Sequence, residues 1–253
     1  MDGETKPHVV ARTAALLRAI AATEPNGAST ASIARASALA RPTAHRLLSA
    51  LAEEGLVDRD QRSGRWSLGP ELYLLGSLAA NRYDITDSAG RILRDLARDT
   101  GESAYLSARR GGETVCVASE EGTFPLRSHV LHTGIRLPLG VASAGLAILA
   151  HLPDREVEEY LACVDLTEKW GPSHASTALR ARLSEVRRDG YSTNPGLLVE
   201  GSWGMGAVVF DRRGEPAWAL SLTGVETRFG PTRRAQLGER LLASAHALSQ
   251  SLR

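Results

Sequence analysis

Arg41-Pro42-Thr43-Ala44-His45-Arg46-Leu47-Leu48-Ser49-Ala50-Leu51-Ala52-Glu53-Glu54-Gly55 reads as one amphipathic helix with a defined start and stop. Pro42 suits the first helical turn, where a missing N–H loses no partner. Gly55 ends the pattern. At about 100° per residue, Leu47, Leu48 and Leu51 fall within about 60° of Ala44, so these four make the inward stripe. Arg41, Thr43, His45, Arg46 and Ser49 lie on the outward N-terminal half. Such side chains hydrogen-bond base edges and phosphates on the part of a recognition helix that enters a major groove. Glu53 and Glu54 come later on the helix, where they would be kept away from phosphates.

Upstream, His8–Thr23 carries Val9, Ala14, Leu16, Leu17, Ile20 and Ala21 at helical spacing until Pro25-Asn26-Gly27 breaks it. Ser29 or Thr30 can cap a second helix to about Ala36, with Ile33 and Ala34 inward, and Ser37–Ala40 is a tight turn. Downstream, Leu56–Arg59 and Arg65–Leu68 read as two short strands joined by the turn Asp60–Gly64. Arg59, Arg62 and Arg65 line this hairpin, which makes it a wing whose arginines would meet the DNA backbone or minor groove. Within Ser29–Gly69, six arginines stand against four acids, although the whole chain carries a formal net charge of only +1. Three short helices and a hairpin also build protein-interaction modules. The wing arginines favour DNA.

These residues resemble the N-terminal domain of IclR-type regulators. The resemblance runs through Ser32-Ile33-Ala34-Arg35, Arg41-Pro42-Thr43-Ala44-His45-Arg46-Leu47-Leu48, Leu51 to Arg59, and Gly64-Arg65-Trp66-Ser67-Leu68-Gly69-Pro70. It implies a mainly helical winged helix-turn-helix over residues 1–69, a linker helix over 70–83 and an effector-binding domain over 84–253. It also implies dimerisation mainly through the N-terminal part, with dimers pairing into tetramers in many relatives.

Glu71 to about Arg82 places Leu72, Leu75, Leu78 and Ala79 on one side and reads as that linker helix. Beyond Ile85 the pattern mixes helices and hairpins. Helices are expected at Ala89–Thr100, Val141–Leu152, Asp154–Ala162, Thr177–Asp189 and Thr232–Leu252. Strands are expected at Ser103–Ala108 and Thr114–Ser119, with a third near Leu126–His129 and a hairpin of Gly206–Asp211 and Ala217–Thr223. Hairpins without regular βαβ crossovers indicate an α+β domain.

This half is similar to the IclR effector domain, a GAF-like α+β sensor with a curved antiparallel sheet. The matching pieces are Gly134 to Leu139, Ala144-Gly145-Leu146-Ala147, Arg187-Arg188-Asp189-Gly190-Tyr191 and Ala219 to Gly224. The resemblance implies that Ser143, Ala144 and Gly145, then Asn194, Gly204, Ser221 and Thr223, line an effector pocket. N–H groups at a helix N-terminus suit an anion, and hydroxyls two apart on a strand share a face. The sequence departs from the family at Gly140, where relatives often have His, at Ser192–Gly196, where many are acidic, and at Gly204, commonly Cys. Trp203 and Met205 are candidates for an apolar pocket lining or for core.

Composition narrows the alternatives. Hydrophobic residues at 43% and charged residues at 23% are those of an ordinary globular chain. No window reaches the about 18 apolar residues of a membrane span. The acidic start Met1-Asp2-Gly3-Glu4 and Arg18 argue against a secretory signal, which points to the cytoplasm. Cys116 and Cys163 offer neither a disulfide framework nor a metal site. His129, His132, His151, His174 and Ser143 are the raw material for an enzyme, but no nucleophile elbow, phosphate loop or zinc motif accompanies them. The reading is a regulator of double-stranded operator DNA, controlled by a small-molecule effector, without cofactor.

Overall fold

The computed structural model describes residues 9–80, 85–128 and 130–252. Contacts within the chain divide it into two compact units, Met1–Tyr83 and Asp84–Arg253. His8, the linker end near Arg82 and His129 lie outside the described residues.

In the first unit, α1 (Val9–Ala21), α2 (Thr30–Ala36) and α3 (Arg41–Glu53) precede a two-stranded antiparallel hairpin, β1 (Val57–Arg59) and β2 (Trp66–Leu68). Leu16 and Ile20 of α1, Ile33 of α2, and Ala44 and Leu48 of α3 are fully or almost fully buried around Trp66. Each comes from the apolar stripe of its own helix, so three stripes and one indole make the core. Ser29 caps α2 by accepting from the Ser32 N–H at 3.2 Å. The α2–α3 turn passes through Ala38 at φ +53°, a left-handed conformation in a residue other than glycine. Gly55, at φ +68°, releases the chain from α3 into β1. Helix α4 (Pro70–Ala80) follows. Its Tyr73, Leu74, Leu75 and Leu78 are all at least half exposed within the chain.

The second unit opens with α5 (Ile85–Thr100) and the hairpin β3 (Ser103–Arg110) and β4 (Glu113–Glu120). Then come β5 (Arg136–Pro138), α6 (Ser143–Ala150), α7 (Asp154–Cys163), α8 (Thr167–Trp170) and α9 (Ser176–Asp189). The chain ends in β6 (Ser192–Pro195), β7 (Ser202–Phe210), β8 (Pro216–Val225) and α10 (Pro231–Ser251). All six strands form one antiparallel sheet in the order β5-β4-β3-β8-β7-β6. Register shifts at Leu106/Ser107 and Val209/Phe210 mark bulges, which bend and twist the sheet.

Strand alternation gives the sheet two apolar faces. Leu106, Met205, Ala207, Val209, Leu220 and Leu222 pack on Leu93 and Leu96 of α5 and on Leu241 and Leu248 of α10. On the other face, Tyr105, Val208 and Ala219 join the core built by α6, α7 and α9.

Two expectations change here. Leu126–Ser128 forms no strand, and β4 is edged instead by Arg136–Pro138, with Glu113 opposite Pro138. Helix α6 begins at Ser143, not Val141, because Gly140 takes φ +88° and Ala142 is an extended N-cap. Strand β6 and the single turn α8 had no apolar periodicity to announce them. No helix among the described residues is long and apolar enough to cross a membrane.

Candidate functional sites

The first surface is the outward side of α3 with the hairpin that follows. Arg41, His45 and Arg46 are exposed, whereas Thr43 and Ser49 are half-buried at the margins of the stripe. The His45 ring meets the Trp66 indole edge-on at 6.4 Å between centroids, so the wing root fixes one side of the helix. Ala28 and Trp66 exchange two main-chain hydrogen bonds, at 2.9 and 2.8 Å, and the Trp66 indole N–H donates to Thr30 Oγ1 at 2.9 Å. The α1–α2 loop is thereby tied to β2.

The three wing arginines differ. Arg62 is exposed at the turn. The Arg59 guanidinium sits over the Trp66 ring, 5.4 Å from its centroid. Arg65 donates to the carbonyls of Asn26, at 2.9 Å, and Gly27, at 2.8 Å, so two of its five N–H groups are engaged within the unit. In the turn, Asp60 accepts from Ser63 Oγ and from the Ser63 N–H, which hold its carboxyl below the ordinary aspartate value.

The second site is a recess in the other unit, with about 280 Å³ of space when its opening to solvent is included. Val130, Leu131, Ala142 and Leu198 contribute its apolar walls, and Ser143, Ser202 and Thr223 its hydroxyls. No charged side chain among the described residues lines it. A second cavity of about 580 Å³ shares Leu131 and is lined by Ser103, Tyr105, Glu120, Arg127 and His132 among others. Ser128 Oγ, on the second cavity, lies 2.6 Å from Ser202 Oγ, on the first. Leu131 and this hydroxyl pair separate the two spaces.

Of the seven residues expected at an effector pocket, Ser143, Asn194, Gly204 and Thr223 line the smaller cavity. Ala144, Gly145 and Ser221 are buried beside it in α6 and β8. Asn194 is already engaged: its amide N–H donates to the Val141 carbonyl at 2.7 Å and its Oδ1 accepts from the Leu197 N–H at 3.0 Å. It braces the entry to α6 against the loop after β6. Gly206 is a seat: a Cβ there would lie 2.7 Å from the Ser143 carbonyl carbon and oxygen, so the start of α6 rests directly on the sheet. Met205 is fully buried in the opposite core, whereas Trp203 lines the cavity, its ring packed against Phe229 and under Arg234. Sequence reasoning missed Leu131 and the Ser128–Ser202 pair, because they belong to loops without periodicity.

His132, His151 and His174 each donate Nδ1–H to a main-chain carbonyl, of Thr133, Ala147 and Trp170 respectively. Burial pushes the Cys116 thiol up to about 11, which leaves it un-ionised and unreactive at neutral pH. No group of three or more metal-ligating side chains occurs among the described residues.

Comparison with known proteins fits this geometry. The family model described as Bacterial transcriptional regulator IclR C-terminal matches residues 77–250, and the IclR helix-turn-helix domain matches residues 9–61. The chain is 30% identical over 213 residues to the HTH-type transcriptional regulator KipR of Bacillus subtilis, covering 84% of each protein. It is 31% identical over 251 residues to the glycerol operon regulatory protein of Streptomyces coelicolor, covering 95% of this chain and 94% of that one. The crystal structure of the Thermotoga maritima IclR superposes with a TM-score of 0.73 at 27% identity, over 96% of this chain and 98% of the other.

Proposed function

Since the chain belongs to the IclR family, DNA-binding transcription regulators with an effector-binding C-terminal domain, we propose which of its residues carry each part of that function. Residues 1–69 read the operator, 70–83 connect, and 84–253 sense. Arg41, Thr43, His45, Arg46 and Ser49 face the major groove from α3. Arg59 and Arg62 meet the flanking backbone or minor groove from the wing, and Arg65 holds the wing in place. The observation that carries this reading is the uninterrupted outward face of α3 beside a basic hairpin, on a unit whose inward stripes are fully spent on its own core.

A second copy of the chain covers the apolar side chains that the first unit leaves at its surface. Tyr73, Leu74, Leu75 and Leu78 of α4, with Val9 of α1, are among the exposed set, and a two-fold pair presents two recognition helices about one DNA turn apart. Dimers of this kind can pair again into tetramers. The protein works in the cytoplasm, where its operator is.

Effector bound in the second unit shifts operator affinity only as far as it binds the DNA-competent and incompetent states differently. Selection of bound sequences from random duplexes tests the reading. An inverted repeat with half-sites about one helical turn apart is the expected result, and an enriched pool without shared sequence would reject it.

A further inference from the structure

We propose that the effector is a small uncharged polyol, held by an array of hydroxyls on the sheet beneath the start of α6. This rests on the assignment of the second unit to effector binding and specifies its ligand. The register places two polar rows side by side on one face. The first runs Ser119–Tyr105–Ser221–Gly206–Ser192 and the second Ser103–Thr223–Gly204–Asn194. Strand alternation puts every member of both rows on the side away from α5 and α10. In each row β7 contributes a glycine, and there the first turn of α6 comes closest: Gly206 touches the Ser143 backbone, and a Cβ on Gly204 would lie 3.1 Å from Ser143 Oγ.

The outer members of the rows are occupied. Ser119 pairs with Thr133, Ser192 donates to the Ser143 carbonyl, Ser103 accepts from the Gly122 N–H, and Asn194 is braced as described. The central two are not. Ser221 Oγ and Thr223 Oγ1 are buried and make no hydrogen bond, in residues 0% and 6% exposed. Two unpaired hydroxyls at that depth are unfavourable unless a ligand or water completes them. Thr223 opens onto the recess, together with Ser143 and Ser202.

The chemistry of the lining selects the ligand. Hydroxyls both donate and accept, so they match a partner that does the same at several points. The apolar walls from Val130, Leu131, Ala142 and Leu198 suit a carbon backbone. A carboxylate or phosphate would find the N–H groups at the start of α6 but no cationic side chain among the described lining residues, so its full charge would be only partly balanced. A purely apolar molecule would leave the hydroxyls unpaired.

Saturation-transfer NMR and calorimetry on the full chain test this with glycerol, erythritol and xylitol, their carboxylate counterparts glycerate and erythronate, and the mono-alcohol 1-butanol. At least one neutral polyol should bind at least about tenfold more tightly than every carboxylate and the mono-alcohol. Ser221→Ala and Thr223→Val should each weaken it about tenfold without lowering the melting temperature. Tighter binding of a carboxylate, equal binding of 1-butanol, binding of no probe, or polyol binding indifferent to both variants would each overturn the proposal. Operator binding is measured on the same preparations: if it is retained while the polyols fail, only the ligand assignment falls, and if it is absent the regulator reading falls with it.

Discussion

Arg65 Nη2 donates to the Gly27 carbonyl at 2.8 Å, across 38 residues of sequence, and so joins the wing to the loop before α2. Its neighbour in the same hairpin, Arg62, is an exposed turn residue. In the proposed reading, two arginines three positions apart therefore have different work, one structural and one electrostatic.

Replacing each with alanine should separate these roles. Arg65→Ala should raise hydrogen exchange in residues 24–30 and 57–68 and lower the stability of the first unit by about 1 kcal/mol, as expected for partly exposed charge-assisted bonds. Arg62→Ala should leave exchange unchanged but reduce the slope of log affinity for DNA against log salt by about one phosphate contact. Interchanged phenotypes would contradict the assignment.

The α2–α3 turn carries an avoidable strain. Ala38 adopts φ +53°, which costs an L-residue about 1–2 kcal/mol. Glycine removes that strain but loses about 0.5–1 kcal/mol more chain entropy on folding. Ala38→Gly should thus stabilise the first unit by about 0.5–1 kcal/mol, read as slower hydrogen exchange through α2 and α3. Faster exchange would mean that the alanine methyl makes a contact worth more than the strain.

The sensor unit should lose stability in mild acid. Burial holds His174 below the ordinary imidazole value of about 6.5, and the Arg182 charge acts in the same direction, against the hydrogen bond to the Trp170 carbonyl. In the unfolded chain the ring takes up a proton as pH falls through about 6.5, whereas the folded ring stays neutral to lower pH. The unfolded state then binds more protons, so stability decreases with falling pH below about 6.5 and is independent of this group above it. Melting temperatures between pH 8 and 5 should flatten in His174→Gln, whatever the change in absolute level. An unchanged pH slope would remove His174 from the account.

How far the sequence revealed this molecule depends on the range of the interactions. The first unit was legible almost residue by residue, because its helices are amphipathic with local punctuation: Ser29 as cap, Pro42 at the start of α3, Gly55 at its end. The sheet was only half legible. The β3–β4 and β7–β8 hairpins are local, but the pairing of β3 with β8 joins residues more than 100 apart and has no sequence signal. Strand β6 reads Ser-Thr-Asn-Pro, without apolar alternation, and exists because β7 offers it an edge and α6 covers it. At the cavity, Ser221 and Thr223 could be placed on one face from their spacing of two. Neither the tie from Asn194 to Val141 nor the Leu131 partition could be read, since each depends on a loop folding back on the sheet.

The exposed side chains of α4 give a test of assembly. Leu78 is 71% exposed within the chain, so Leu78→Glu should leave the folding of the first unit nearly unaffected. In the proposed dimer the same change buries two carboxylates in an apolar interface. Sedimentation velocity should show the variant shifted to monomer with its helical circular dichroism retained. An unshifted variant would place the dimer contact elsewhere.

The central claim is that the outward face of α3 reads sequence, and fluorescence anisotropy addresses it most directly. The wild-type chain and Arg46→Ala would be titrated with duplex from the chain's own upstream region and with a scrambled duplex. Wild type should bind the first duplex at least about a thousandfold more tightly than the second. Arg46→Ala should lose about 1–3 kcal/mol on the specific duplex and little on the scrambled one. Equal binding of both duplexes, unchanged by the substitution, would contradict the claim.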